Sequence, residues 1–148
     1  MSLNICEIFY SLQGESTYSG LPCIFIRLSG CNLRCSWCDT TYAWSNGKEM
    51  SFEQILQEIR KYPCSLVEIT GGEPLLQKRT IELMKVLHEE KYRILLETNG
   101  TQSLQNVPDY VVKIVDVKCP GSGFGESFLM ENLNFLLPVD EIKFVLAS

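Results

Sequence analysis

Three cysteines, Cys31, Cys35 and Cys38, lie within a stretch of eight residues and have the type and spacing to hold an iron–sulfur cluster. They cannot all pair with one another as disulfides, because one thiol is always left over. A cubane cluster ordinarily takes one cysteine for each iron, so three cysteines leave one iron without a protein ligand. Such an iron can bind a small molecule and pass it an electron. The spacing therefore predicts redox chemistry at an open iron.

A structural zinc site is the main alternative for these cysteines. Zinc in such a site takes four ligands, usually from two separated pairs. No second Cys-x-x-Cys motif follows Cys38, and the single histidine, His88, lies in a different predicted element. Asp39 remains a candidate fourth ligand. We favour the cluster and keep zinc, or a disulfide pair, as alternatives.

Length and composition predict one soluble domain spanning residues 1–148. Apolar residues make up 45% of the chain and charged residues 21%, and the formal net charge is −5. That negative charge argues against general nucleic-acid binding. The N-terminus has no secretory signal pattern, and no run reaches the roughly 20 apolar residues needed to cross a bilayer. We therefore expect a cytoplasmic protein whose other four cysteines are reduced thiols.

Strands and helices alternate along the predicted chain. A capping box at Ser51 and Gln54 starts one helix, and Pro74 starts another that runs to His88. A weaker helix is predicted over about 126–136. The predicted strands are Cys23–Leu28, Leu66–Thr70, Arg93–Thr98, Val111–Lys118 and Glu141–Leu146. Such alternation predicts an α/β fold with a parallel sheet, an open or closed β/α barrel.

Unusual residues fall where the predicted strands end. They are the cysteine loop, Gly71–Pro74, Glu97–Gly100 and Asp116–Lys118. The carboxyl ends of parallel strands meet at one edge of the sheet, where ligands bind in such folds. We therefore expect a site at this edge.

These motifs together resemble those of the radical S-adenosylmethionine (SAM) superfamily. Within it, Phe9–Glu15, Cys38–Thr40 and Glu97–Thr101 resemble segments of the 7-carboxy-7-deazaguanine synthase family. The resemblance runs from the first predicted strand to the last. It implies a partial, open β/α barrel, C-terminally shortened relative to the family. A truncated chain, a minimal enzyme, or a site completed by a neighbouring subunit stay open as explanations.

The resemblance implies three cofactors: a [4Fe–4S] cluster, SAM and Mg²⁺. Cys31, Cys35 and Cys38 would bind the cluster, and the Thr40 hydroxyl would contact Mg²⁺. SAM would ligate the open iron while Glu97 bonds its ribose hydroxyls, although Asn99-Gly100 is also an ordinary turn signal. The residues implied to bind SAM are Trp37, Asp39, Gly72, Glu97, Asp116 and Lys118. For Trp37 a core position, and for Asp116 and Lys118 a solvent-exposed position, remain alternatives.

The implied substrate is 6-carboxy-5,6,7,8-tetrahydropterin. Gln13 can pair with the hydrogen-bonding edge of a pterin, and Arg27 suits its carboxylate. An internal carboxylate such as Glu68 is the alternative partner for Arg27. The implied substrate-binding residues are Leu12, Gln13, Gly14, Arg27 and Thr70. Ser16 stands where the family usually has glycine, so this turn is expected to differ.

The implied reaction is a radical ring contraction that releases ammonia and gives 7-carboxy-7-deazaguanine, a precursor of queuosine and related deazapurines. We assign no general base. The resemblance also implies an external one-electron reductant such as flavodoxin, a homodimer, and neither nucleic-acid nor membrane partners. An activating enzyme for a glycyl-radical protein shares the cysteine motif and is the alternative function. Such an enzyme needs a protein-docking surface instead of a pterin pocket.

Overall fold

The computed structural model describes residues 1–14, 16–30, 47–118 and 128–145, with backbone only at positions 118 and 145. Short 3₁₀ turns occupy Pro74–Leu76 and Met130–Phe135. The helices are α1 (Phe52–Ile59) and α2 (Thr80–Glu89). The strands are β1 (Ser2–Leu12), β2 (Pro22–Leu28), β3 (Lys48–Ser51), β4 (Leu66–Gly71), β5 (Arg93–Thr98), β6 (Val111–Lys118) and β7 (Glu141–Val145).

Seven strands form one open sheet in the order β3-β1-β2-β4-β5-β6-β7. Strands β2, β4, β5, β6 and β7 are parallel, whereas β1 runs antiparallel to both β2 and β3. The predicted partial barrel of parallel strands is therefore confirmed. The antiparallel strands β1 and β3 were not expected from the sequence. No helix in the described residues is long and apolar enough to cross a membrane.

The sheet has two different faces. The helix-covered face is continuously apolar and packs against α1 and α2 through residues such as Ile26, Ile69 and Leu96. The other face, here called the inner face, carries a smaller apolar cluster around Phe25 and Leu95. Side chains alternate between the faces along each strand. Polar residues on the inner face are therefore held by strands whose other face is anchored in the main core.

Helix α1 begins as the sequence predicts. The Ser51 hydroxyl accepts a hydrogen bond from the Gln54 amide at 3.1 Å, and the Ser51 amide donates to the Gln54 side chain at 2.8 Å. The helix predicted from Pro74 is instead a 3₁₀ turn followed by α2. Its interruption has a physical cause, because Gln77 is extended and its side chain bonds the backbone of Asn4 at 2.9 Å.

The helix predicted over 126–136 is a 3₁₀ turn in its described part. Buried Asn132 explains the difference, since its side chain bonds the backbone of Gly100, Gln102 and Leu104 at 2.9–3.0 Å. These bonds replace helical ones with a tie to the loop after β5. That loop, residues 99–110, contains no helix, so the strand–helix alternation is interrupted between β5 and β6.

Candidate active site

The inner face changes from apolar to polar toward the carboxyl ends of its strands. Cys23, Phe25 and Leu66 belong to the apolar cluster near the amino ends. Arg27 and Thr70 follow on the same face of β2 and β4, and they are register neighbours. Because ligands bind at the carboxyl edge of parallel sheets, this polar region is the candidate active site.

The end of β4 fixes the chain immediately before the cysteine segment. The Glu73 amide donates to the Gly30 carbonyl at 2.8 Å, and the Gly72 amide donates to the Leu28 carbonyl at 3.4 Å. A Cβ on Gly71 would lie 2.3 Å from the Leu28 carbonyl oxygen. Gly71 is therefore required by close approach of β2, a reason the sequence did not indicate.

Six predicted site residues lie outside the described residues: Cys31, Cys35, Trp37, Cys38, Asp39 and Thr40. The two ends of their segment nevertheless meet. Gly30 follows β2 directly, and a Cβ on Gly47 would touch the Ser29 side chain. Both ends thus lie at the carboxyl edge of the sheet. The segment that carries the three thiols therefore starts and ends at this edge, and three thiols are a donor set that fits an iron–sulfur cluster.

Glu73 ties the ends of β4 and β5 together from a fully buried position. Its carboxyl accepts hydrogen bonds from the Thr98 hydroxyl at 2.8 and 2.9 Å, the Asn99 amide at 2.8 Å and the Leu75 amide at 3.0 Å. Burial raises the pKa of Glu73 to about 7, against the opposing effect of these donors. Glu73 therefore sets the geometry of the site edge, a role that the sequence did not reveal.

Glu68 lies buried on the inner face beside two other polar side chains. Its Oε1 accepts a hydrogen bond from Nε2 of Gln13 at 2.7 Å. Burial, followed by repulsion from the neighbouring Glu97, raises the pKa of Glu68 to about 8. At neutral pH the Glu68 carboxyl therefore carries its proton.

Glu97 lies on the same face of β5 and is half-buried. Its Oε1 accepts from Lys143 Nζ on β7 at 3.1 Å. Asp116 on β6 is the register partner of Lys143. The structure thus brings Glu97 and Asp116, two predicted SAM residues, to neighbouring strands. For Lys118 only the backbone position at the end of β6 is defined.

Arg27 is largely buried and bonds Glu7, the residue opposite it on β1, with Nε to Oε1 at 3.0 Å. Its guanidinium also lies 5.8 Å from the centre of the Phe9 ring. The internal partner of Arg27 is therefore Glu7 and not the suggested Glu68. This arrangement holds a guanidinium beside Thr70 at the site edge.

Of the remaining predicted substrate residues, two are buried and two are exposed. Gln13 and Thr70 are buried, with 5% and 6% of their surface exposed, and both lie near Glu68. Leu12 is 62% exposed and Gly14 is also exposed, so the structure does not bring them into this cluster.

Glu68, Glu73 and Lys143 were not among the site residues predicted from the sequence. A charged residue inside the apolar run Leu66–Ile69 was the available signal for Glu68, because burying an acid without a partner is costly. Lys143 gave a similar signal between Ile142 and Phe144. Their common location became apparent only from the fold.

Comparison with known proteins gives one consistent result. The radical SAM superfamily pattern matches residues 25–119. The chain is 56% identical over 148 residues to a 7-carboxy-7-deazaguanine synthase of Koribacter versatilis, covering 99% of this chain and 66% of that protein. It is 43% identical over 149 residues to the same enzyme of Chlorobaculum tepidum, covering 99% and 68%. The chain spans about two thirds of the length of these relatives.

A solved structure shares the fold. The crystal structure of QueE from Escherichia coli superposes with a TM-score of 0.84 at 27% identity, covering 99% of this chain and 72% of that one. The fold described above is thus shared with that structure over 99% of this chain.

Proposed function

This chain belongs to the radical SAM superfamily and, within it, to the 7-carboxy-7-deazaguanine synthase family, and from this membership we propose its reaction. The substrate is 6-carboxy-5,6,7,8-tetrahydropterin, a small molecule, and the product is 7-carboxy-7-deazaguanine, formed with loss of ammonia. The pathway is that of queuosine and other deazapurines. The observation that carries the proposal is a polar inner face with Gln13, Arg27, Thr70 and Glu97, at the edge of the sheet where Gly30 is held just before the cysteine motif.

The cysteine segment and the strand ends would hold the two main cofactors. Cys31, Cys35 and Cys38 would bind the [4Fe–4S] cluster. When bound, the cluster and SAM supply a carbon radical that can remove a hydrogen atom from the substrate. The residues proposed to contact SAM are Trp37, Asp39, Gly72, Glu97, Asp116 and Lys118. Glu97 would accept hydrogen bonds from the ribose hydroxyls, and Lys143 would hold Glu97 in place.

The inner face would bind and orient the pterin. The Arg27 guanidinium, steadied by Glu7, would bind the substrate carboxylate. Buried Gln13 and Thr70 would bond the ring edge, with Leu12 and Gly14 adding contacts. Thr40 would help to hold Mg²⁺ against the same carboxylate, since Mg²⁺ uses few protein ligands and keeps several waters. Together these contacts hold the substrate still and exclude water from the reacting carbon.

Anaerobic reconstitution provides the test. The protein should be brown, and with a reductant, SAM and the carboxytetrahydropterin it should yield a product with the mass of 7-carboxy-7-deazaguanine. Cys35→Ala should lose the colour and the product. Cys64→Ala, a free cysteine at the opposite end of the strands, should keep both. Turnover that requires a partner polypeptide would indicate the glycyl-radical activating enzyme, and a colourless protein containing zinc would exclude both enzymes.

Three finer features belong to the same proposal. The electron would come from an external one-electron donor such as flavodoxin, the enzyme would work in the cytoplasm, and it would form a homodimer. Sedimentation of the reconstituted protein checks the dimer. Product formation with reduced flavodoxin in place of a chemical reductant checks the donor.

A further inference from the structure

Four polar side chains on the inner face form a chain of neighbours across the site. Lys143 of β7 bonds Glu97 of β5 at 3.1 Å, Glu97 is the acidic neighbour of Glu68 of β4, and Glu68 bonds Gln13 at 2.7 Å. Four separate parts of the chain contribute one member each. Gln13 and Glu68 are 5% and 2% exposed, so water does not replace these contacts.

The bond between Gln13 and Glu68 fixes which way the amide is turned. Nε2 of Gln13 lies 2.7 Å from Oε1 of Glu68, and a carboxyl oxygen accepts, so Gln13 turns its NH₂ group toward Glu68. Burial and the neighbouring Glu97 favour the protonated form of Glu68, which still has an acceptor oxygen for Gln13.

We propose that Glu68 is a positioning residue that fixes the amide of Gln13 with its carbonyl oxygen toward the substrate. This inference rests on the proposed function for the identity of the ligand. A fixed carbonyl oxygen accepts a hydrogen bond from the 2-amino group of a pterin. It repels the 2-oxo group of a lumazine, which has an acceptor at the same position. Glu68 thereby selects a 2-amino ring without touching it.

Other ionisable groups around Glu68 do not supply an alternative proton donor. Arg27 on β2 is bonded to Glu7. Cys23 on β2 has its pKa raised to about 12 by burial and by Glu68, so it stays a neutral thiol. Lys143 favours the ionised form of Glu68, but its effect is smaller than that of burial and Glu97. The described surroundings of Glu68 therefore favour the neutral acid.

The test compares two variants of similar side-chain size. Glu68→Gln keeps an acceptor for Gln13, whereas Glu68→Met removes it and fills a similar volume. The probes are pterin-6-carboxylic acid and lumazine-6-carboxylic acid, whose fluorescence reports binding to the reconstituted enzyme without turnover. A site built to bond one group rejects an analogue that lacks it, at a cost of about 1–3 kcal/mol for the unmatched polar group.

We expect the wild type to prefer the pterin by at least about tenfold, the equivalent of 1.4 kcal/mol. Glu68→Gln should keep that preference, and Glu68→Met should reduce it to about twofold or less. SAM cleavage without substrate should persist in both variants, which shows that the cluster and SAM are bound. An unchanged preference in Glu68→Met would overturn the proposal.

Infrared spectroscopy tests the chain without any substrate and without relying on the folding of Glu68→Met. The difference spectrum of wild type minus Glu68→Gln at pH 7 should contain the carbonyl stretch of a protonated carboxyl group. If this band is missing, the proton is not on Glu68 and the inference fails, even for an enzyme that makes the predicted product. If the band is present but the wild type binds neither probe, the proposed function fails while the ordered chain is supported.

Discussion

Two lysine–carboxylate pairs lie on opposite faces of the same sheet, and their surroundings differ. On the helix-covered face, Lys113 Nζ lies 3.3 Å from Oδ2 of Asp140, and both side chains are 1% exposed. On the inner face, Lys143 Nζ lies 3.1 Å from Oε1 of Glu97, with side chains 28% and 27% exposed. The Lys113–Asp140 pair is more deeply buried, whereas the Lys143–Glu97 pair has a further acidic side chain, Glu68, beside it.

The hydrogen-bond partners of each lysine–carboxylate pair indicate its role. Asp140 also accepts from the backbone amides of Lys113 and Leu137, so its bonds tie the connection before β7 to the backbone of β6. Around Glu97 the contacts come from β4 and β7, and Glu68 adds a second acid. A balanced pair saturated by nearby backbone indicates structural support. An excess of carboxyl groups drawn from distant strands indicates a binding site.

The largest expected effect is on the structural pair. Lys113→Met leaves Asp140 buried without its counter-ion, and breaking such a pair typically costs about 3–5 kcal/mol of unfolding free energy. Anaerobic urea denaturation of the reconstituted protein measures this. Lys61→Met, which removes an exposed pair with Glu58, is the control and should cost under about 0.5 kcal/mol. Equal losses in both variants would mean that the buried pair has no special structural role.

The pH dependence of stability is the second effect. Glu68 and Glu73 have pKa values of about 8 and about 7 in the folded protein, above the ordinary value of 4.5. Between pH 4.5 and 8 the unfolded chain releases protons that the folded protein keeps, so stability falls as the pH rises. Glu68→Gln removes the part of this pH-dependent loss of stability that comes from Glu68. Relative to wild type, this variant should gain stability on the order of 4 kcal/mol between pH 4.5 and 8.5.

The difference between the two urea-denaturation profiles isolates Glu68, because titrations common to both proteins cancel. Parallel profiles would show that the folded protein ionises Glu68 at its ordinary pKa. Such a result would also mean that Glu68 does not distinguish the electrostatics of the inner face from those of the helix-covered face.

Local signals explain why much of the fold was predictable. The capping box of α1 needs only Ser51 and Gln54, and the apolar parallel strands contain their own pattern. Strand β3 has no such pattern, because Lys48–Ser51 is polar and becomes a strand only by pairing with Ser2–Ile5. Asn132 likewise changes a predicted helix into a 3₁₀ turn through bonds to a loop about 30 residues away.

The candidate site likewise combines features with a local sequence signal and contacts between distant residues. That Gly71–Pro74 and Glu97–Gly100 share an edge follows from parallel topology, which the sequence predicted. The contact between Gln13 and Glu68 joins residues 55 positions apart and requires the turn after β1 to fold against the inner face. The bond of Lys143 to Glu97 reaches across β6. Such contacts depend on sheet curvature, for which a single sequence gives no local signal.

The smallest expected change in stability concerns Lys143. Because its pair with Glu97 is more than a quarter exposed, Lys143→Met should cost less than about 1 kcal/mol of unfolding free energy. Its effect should appear in binding instead. Without Lys143, Glu97 is less firmly held, so the KM for SAM should rise by about threefold to tenfold, a cost of about 1 kcal/mol.

Lys143→Arg, which keeps the charge, is the matched control and should leave the KM for SAM within about twofold of wild type. Urea denaturation and SAM-dependent kinetics on the same preparations give both values. A large loss of stability with an unchanged KM would assign Lys143 the same structural role as Lys113. The two faces of the sheet would then carry the same kind of pair, and the exposure of Glu97 would no longer indicate a ligand site.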